Sequence, residues 1–396
     1  MQTVDQRIEK LRKLMEEKGI DIYYIPNEDD HLSEEYTADY FKCKSFISGF
    51  SGEAGCTIVT KDFAGLWTDG RYFTQAEHEL EGTCVTLMRL RQEGVVDPIP
   101  FLIDNTPENG CLGFDGKVVS SSDAIHLSKE LEKKNAKLHT TDDLVDTVWG
   151  KDRPSMPQEE IYILPKKYVG EDITERIQKV RDAMKEKGAD VLVLTKLEDP
   201  CWMLNIRGND IESTPVSYAF AVVTENEVIY YVDKEKVTDE VEKYFAEAKV
   251  TLKGYNDIEK DLEDLKDKKI WVNLRSFNTS FYSHLDSSNQ IINEDSPVVL
   301  FRAIKNETEL TNTINAHIKD GVAMVRFLYW LKHNIQTVPM TERSAEDKLL
   351  SFREEQEGFI EPSFHTISAY KGNAAMMHYT ANDETNAELH PEGFLL

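Results

Sequence analysis

The sequence predicts an α/β protein built on a duplicated domain, followed by a shorter third part of different pattern. Residues 7–21 (RIEKLRKLMEEKGID) and 176–190 (RIQKVRDAMKEKGAD) share nine identities in fifteen positions at a constant offset of 169. In each copy apolar residues three and four apart lay a stripe along a helix, and a continuous apolar run follows, as in strands covered on both faces. A copy of this length can bury its own sheet, so the repeat is a domain duplication and not a solenoid unit.

Along the chain, Ile8, Leu11 and Met15 mark the first helix, and Gly19 ends it by supplying a left-handed residue. Residues 22–25 (IYYI) form a buried strand, residues 54–60 and 64–68 a hairpin, and a helix runs from about Tyr72 to Leu80. The second copy repeats this with Ile177, Val180 and Met184, then Gly188, the run 191–194 (VLVL), and a hairpin of 219–224 with 228–232 turning at Glu225 and Asn226. A helix follows near Lys234 to Phe245. Two prolines among polar residues make 151–158 a linker between domains 1–150 and 159–301.

The third part, 302–396, is entered near Ser296 and Pro297, with a short strand expected at Val298, Val299 and Leu300. Asn306 and Glu309 have capping-box spacing at the start of a long helix to about His333, with Leu310, Ile314, Ile318, Val325 and Leu328 as its buried side. Thr341 starts another helix carrying Leu349, Leu350 and Phe352. Beyond it lies the block 363–379 (SFHTISAYKGNAAMMHY), where small residues and a glycine would let backbone approach a ligand and a histidine beside a tyrosine would point at it. A packed or solvated histidine is the plainer alternative.

A formal charge of −26 disfavours nucleic acid, because phosphate binding needs clustered lysine and arginine. Basic partners stay possible, although the acidic residues are scattered among lysines as on solvated helix faces. No apolar run approaches the roughly 18–20 residues that span a bilayer, and the start MQTVDQR lacks a secretory apolar stretch, so an intracellular, membrane-free protein is expected. Five cysteines without C-x-x-C spacing suggest free thiols. The ten histidines include neither H-E-x-x-H nor a pair at one-turn spacing, and the acidic residues around His390 have turn character, so no metal ligands are assigned.

The segments 67–73 (WTDGRYF), 302–305 (RAIK), 320–323 (DGVA), Thr341 with Glu342, and 372–379 (GNAAMMHY), in this order, resemble the three-domain Xaa-Pro aminopeptidases, or aminopeptidase P, over the whole chain. The resemblance implies two related creatinase-type N-terminal α/β domains with ribonuclease-H-like mixed sheets. After them it implies the first part of an α+β pita-bread catalytic domain that uses two manganese ions. It further implies peptide substrates with proline second, a homodimer and a cytoplasmic location. His378 is then a catalytic and substrate-contacting residue beside the metal pair, moving a proton or stabilising an oxyanion. Tyr379 is placed in the substrate site, with Asn373, Phe364 and His365 along the cleft. Arg71, projected by the Asp69–Gly70 turn, reaches the peptide from the N-terminal part.

In the family two aspartates soon follow the strand after the histidine–tyrosine pair, and a histidine and two glutamates come later. This chain ends before them, so it is expected to bind no metal and to be inactive alone. Residues 306–396 are expected to expose apolar surface and a sheet edge, with disorder, swapping or pairing near the C-terminus. Trp202 and Arg207 are expected to pack between domains. Prolidase or creatinase chemistry, or a non-catalytic pita-bread binding module, are the alternatives.

Overall fold

Gly19 and Gly188 end equivalent helices, Val4–Lys18 and Ile173–Lys187, with φ of 67° and 69°. Each helix opens on a capping box, Thr3 with Gln6 and Asp172 with Glu175, which satisfies amides left free at a helix start. Each buries one stripe, Ile8, Leu11 and Met15 in the first and Ile177, Val180 and Met184 in the second. The computed structural model describes residues 2–33 and 36–396.

The first lobe contains strands β1 (Ile22–Ile25), β2 (Cys56–Thr60), β3 (Ala64–Thr68), β4 (Thr86–Arg89), β5 (Cys111–Gly113) and β6 (Lys137–His139). The second lobe follows with β7 (Tyr162–Ile163), β8 (Val191–Leu194), β9 (Ile206–Arg207), β10 (Ala219–Thr224), β11 (Val228–Val232), β12 (Val250–Lys253), β13 (Lys269–Val272) and β14 (Gln290–Asn293). The two six-stranded sheets have the orders β4-β3-β2-β1-β5-β6 and β12-β11-β10-β8-β13-β14. In both, three central antiparallel strands, β1, β2 and β3 or β8, β10 and β11, are flanked on each side by strands that pair in parallel, so the sheets share one topology. The expected helices after the hairpins are present at Phe73–Glu79 and Asp239–Glu247.

The repeat extends to side-chain tasks. Arg12 donates to the Thr60 carbonyl at 2.9 Å, and Arg181, its counterpart, to the Thr224 carbonyl at 3.0 Å. Asp21 accepts from the Cys111 amide at 2.8 Å, as Asp190 does from the Lys269 amide at 2.8 Å. Each pair ties the middle of a helix or the start of a strand to a strand of the sheet, so the same residues solve the same problem twice.

The lobes meet along a polar and apolar seam. Ser121 donates from its hydroxyl to the Phe277 carbonyl at 2.6 Å, and Thr279 to the Val119 carbonyl at 2.8 Å. Ala38 and Phe41 of the first lobe pack with Leu197, Cys201, Ile211, Val216 and Tyr218 of the second. Trp202 lies elsewhere than expected: it is inside the second lobe's own core, with the Arg176 guanidinium stacked 4.2 Å from the indole. Arg207 bonds the Cys201 and Ile206 carbonyls beside it.

Two compact units result, one of residues 1–164, 171–211 and 215–304, the other of 165–170, 212–214 and 305–396. At the end of the first, Val298–Leu300 is helical and not a strand, because Pro297 and the Ser296 hydroxyl, which accepts from the Val298 amide at 3.1 Å, start the helix Pro297–Ala303. In the second unit the helix Glu307–Asn334 starts on the expected capping box of Asn306 and Glu309. Its buried side is Ala323 and Phe327, packed on Ala345, Leu349 and Phe352 of the helix Glu342–Glu354. The side expected to be buried is exposed, Ile318 at 61% and Val325 at 66%. Apolar residues lie on more than one side of this helix, and periodicity cannot say which side meets its neighbour. No named strand occurs among the described residues of this unit; isolated bridges join Thr341 to Glu388 and Tyr370 to Leu395.

Two glycines separate backbone strain from crowding. A Cβ on Gly188 meets nothing within 4 Å, whereas one on Gly55 (φ 114°) would sit 1.9 Å from the Trp67 carbonyl oxygen. Gly188→Ala is expected to cost about 1 kcal/mol, and Gly55→Ala about 3 kcal/mol or more, in chemical denaturation. Equal costs would show that Gly55 does not hold the β2–β3 entry closed.

Candidate active site

Thr341 caps the helix Glu342–Glu354, its hydroxyl accepting from the Ser344 amide at 3.2 Å. This places Glu342 at the first helical position, where the helix dipole favours a carboxylate. Its side chain is fully buried, and four donors converge on it. Oε1 accepts from the Tyr370 amide at 2.5 Å and from Asn373 Nδ2 at 3.1 Å. Oε2 accepts from the Tyr379 hydroxyl at 2.7 Å and the Ala387 amide at 2.9 Å. Burial pushes the Glu342 carboxyl up, but the hydrogen bonds from Tyr379, Ala387, Tyr370 and Asn373 outweigh it and hold the group below its ordinary value.

Around this carboxylate the histidine–tyrosine block takes its shape. Residues Lys371–Ala375 form a single 3-10 turn, and His378 follows in a turn, half-buried. The segment ahead of this histidine is held by the bond from the Tyr370 amide to Glu342 and by main-chain hydrogen bonds of Ala369 with Leu396 and of Lys371 with Phe394. Tyr379 is buried, and its hydroxyl, pushed up to about 12 by burial and by Glu342, is spent on the carboxylate. Asn373 belongs to the same network, within 2.9 Å of the Tyr379 oxygen. Phe364 is 57% exposed, and His365 lies 3.2 Å from Glu212.

Arg71 belongs to the other unit. The turn after β3 closes through the Tyr72 amide and the Asp69 carbonyl at 3.0 Å, and Asp69 grips the guanidinium through contacts of 3.0 and 2.8 Å. The hydrogen bond from Arg71 holds the Asp69 carboxyl below its ordinary value. Glu77, on the helix that follows, pairs with Arg89. The turn thus offers an oriented, partly exposed guanidinium.

Among the described residues no three His, Cys, Asp or Glu side chains are grouped so as to hold a metal ion. The acidic residues near the C-terminus make surface pairs, Asp383 with Arg343 at 2.7 Å and Glu392 with Lys371 at 3.1 Å. A two-metal centre therefore does not fit the side chains placed here. In the sequence Glu342 stands out only as part of the Thr341–Glu342 motif, because the donors it organises lie 28 to 45 residues away. The available signal was an acid directly after a helix-capping threonine.

Residues 7–148 and 152–309 each match the creatinase/prolidase N-terminal domain, and residues 312–396 match metallopeptidase family M24. The duplicated lobes and the capped helices with their histidine–tyrosine block define a creatinase–M24 type of chain. It is 38% identical to a probable Xaa-Pro aminopeptidase P of Laccaria bicolor over 94% of this chain and 59% of that protein. It is also 36% identical to aminopeptidase P1 of Arabidopsis thaliana, over 98% of this chain and 67% of that one. The solved X-prolyl aminopeptidase of Caenorhabditis elegans, described as a cytosolic enzyme with a di-nuclear active site, superposes with a TM-score of 0.92 at 28% identity, over 98% of this chain and 66% of that one. The chain belongs to the Xaa-Pro aminopeptidase P family. It spans between 59% and 67% of the length of the relatives it matches. No helix of the described residues is long and apolar enough to cross a membrane.

Replacing Glu342 by alanine would strand the Tyr370 and Ala387 amides, Asn373 and the Tyr379 hydroxyl. We expect Glu342→Ala to cost the second unit roughly 3 kcal/mol, and Glu342→Gln less, read as faster limited proteolysis within residues 368–389. Because the folded carboxyl is held below the ordinary 4.5, its contribution is present above that pH and is lost as pH falls through the depressed value. Proteolysis unchanged in Glu342→Ala would remove Glu342 from this role.

Proposed function

We propose that this chain is the N-terminal and central part of a metal-dependent aminopeptidase that hydrolyses the bond between an N-terminal residue and a following proline. The observation that carries this reading is the match to the Caenorhabditis elegans X-prolyl aminopeptidase over 98% of this chain at a TM-score of 0.92. Within it, His378 contacts substrate and moves a proton or steadies the developing oxyanion, while Tyr379 and Arg71 bind substrate. The Tyr379 hydroxyl is held by Glu342, so Tyr379 offers its ring and backbone, and its fixed position in turn orients His378 next to it. Arg71, oriented by Asp69 and partly exposed, binds a peptide carbonyl or carboxylate.

The enzyme's two metal ions, which we take to be manganese, would supply the activated hydroxide; the side chains described here do not form that centre. The chain alone is accordingly proposed to be inactive. A homodimer in the cytoplasm, with the lobes restricting access to short peptides, completes the reading.

The test is hydrolysis of a proline-second tripeptide in manganese by this chain, alone and joined to the remaining C-terminal third of a full-length relative. The joined protein should release the N-terminal residue, about 100-fold or more slowly in His378→Ala. This chain alone should release none. Turnover by the chain alone, or an undiminished rate in His378→Ala, would overturn these assignments.

A further inference from the structure

Between the lobes, a line of hydrogen bonds runs from Asp30 through Tyr255 to His31 and ends on a main-chain carbonyl. The Tyr255 hydroxyl lies 2.7 Å from Asp30 Oδ2 and 2.8 Å from His31 Nε2. His31 Nδ1 lies 2.6 Å from the Thr195 carbonyl, which can only accept, so Nδ1 carries a hydrogen and donates. Tyr255 has one hydroxyl hydrogen for two neighbours. If it goes to His31 Nε2, Asp30 must be protonated to donate to the tyrosine oxygen; if it goes to Asp30, Nε2 must be protonated. Either way the line is complete only with one proton beyond those of a carboxylate, a phenol and a neutral imidazole.

Burial decides where that proton rests. Asp30 and His31 are both buried, and the imidazole stacks on Phe220 with ring centres 3.9 Å apart. Asp30 Oδ1 has no hydrogen-bond donor, and His31 Nε2 is 3.7 Å from it. An unserved oxygen is far less costly on a neutral acid than on a buried carboxylate, so the neutral acid with neutral imidazole is favoured. We propose that the seam between the two lobes is a proton-linked clamp, closed by one proton on the Asp30–Tyr255–His31 line and loosened when that proton passes to solvent base. Asp30 and His31 belong to the first lobe and Tyr255 and Thr195 to the second, so loss of the line acts on the contact between lobes.

The charged and titratable neighbours agree. Asp29 lies beside Asp30 and accepts from the Tyr218 hydroxyl at 2.8 Å; with Asp115 it disfavours a second negative charge. Lys117 opposes them but is shared with Glu259 at 3.5 Å, and Lys236 disfavours charge on His31. Burial first, then Asp29, push Asp30 up to about 8, and burial pushes His31 down to about 3. Burial pushes Asp29 and Asp115 only to about 6, so between about pH 6.5 and 8 Asp30 titrates apart from them. A carboxyl raised in the folded state holds a proton that the unfolded chain has lost, so this contribution is full below the ordinary 3.8, falls as pH rises above it and is gone beyond about 8.

The experiment follows amide-exchange protection of His31 and Ser33, corrected for intrinsic rates, with the protonated-carboxyl infrared band, from pH 6.5 to 9. In the wild-type chain protection should fall by up to about tenfold per pH unit to about pH 8 and then level off, while the infrared band disappears over the same range. Asp30→Asn, whose amide can donate to Tyr255 at any pH, should flatten the slope and lack the band. A wild-type slope retained in Asp30→Asn, or no carboxyl band titrating near pH 8, would overturn the proposal; the wild-type band decides alone if Asp30→Asn fails to fold.

Discussion

Closing two α/β lobes on one another buries polar groups at strand ends, and each must find its partner on the other lobe. Ser121 and Thr279 exchange side-chain and main-chain hydrogen bonds across the contact, and the Asn278 side chain reaches the Asp30 carbonyl at 2.9 Å. A hydrogen bond of this kind contributes only about 1 kcal/mol net, but one left unmade in a buried site costs about 1–3 kcal/mol. The seam therefore acts mainly by penalty: few relative placements of the lobes satisfy all of these groups, and the sheets are fixed against each other by what would be lost elsewhere. Buried Lys236 extends the constraint, pairing with Asp210, which accepts from the Tyr218 amide at 2.6 Å.

The geometry of the duplication explains why these groups are polar. Asp29–His31 follow β1, and Thr195 follows β8, the equivalent strand of the second copy. In an open sheet of mixed direction the crevice beyond such strand ends is where a ligand would sit. Here each lobe fills that place with residues of its sister. Groups suited to a ligand, two acids and a histidine, have become internal partners. This accounts for lobes rich in buried ionisable residues with no metal cluster among those described.

Much of this architecture is legible in the sequence where the signal is local. Gly19 and Gly188 end their helices because a left-handed residue is needed there, and Asn306 caps because its side chain reaches three residues ahead. Signals that depend on distant partners are not legible. Val298–Leu300 has the composition of a strand, yet a serine cap and a proline begin a helix there. The seam residues Asp30, His31 and Tyr255 are dispersed polar residues in the sequence, and nothing local marks them as partners. Glu342 is hidden for the same reason, since its donors come from Tyr370, Asn373, Tyr379 and Ala387.

The two units also differ in how they spend apolar surface. The first closes its sheets between helices and fully covers large aromatic residues such as Trp67, Tyr230 and Phe220. In the second, one helix serves two sides: Ala323 and Phe327 face the neighbouring helix, while Leu310, Ile314, Val322 and Tyr329 remain in contact with solvent. A helix apolar on both sides gains little from its exposed side, so this unit relies more heavily on polar order. That order centres on Glu342. One carboxylate at a helix start draws in two amides, an amide side chain and a phenol, and so gives the histidine–tyrosine block a fixed conformation that apolar packing alone does not provide.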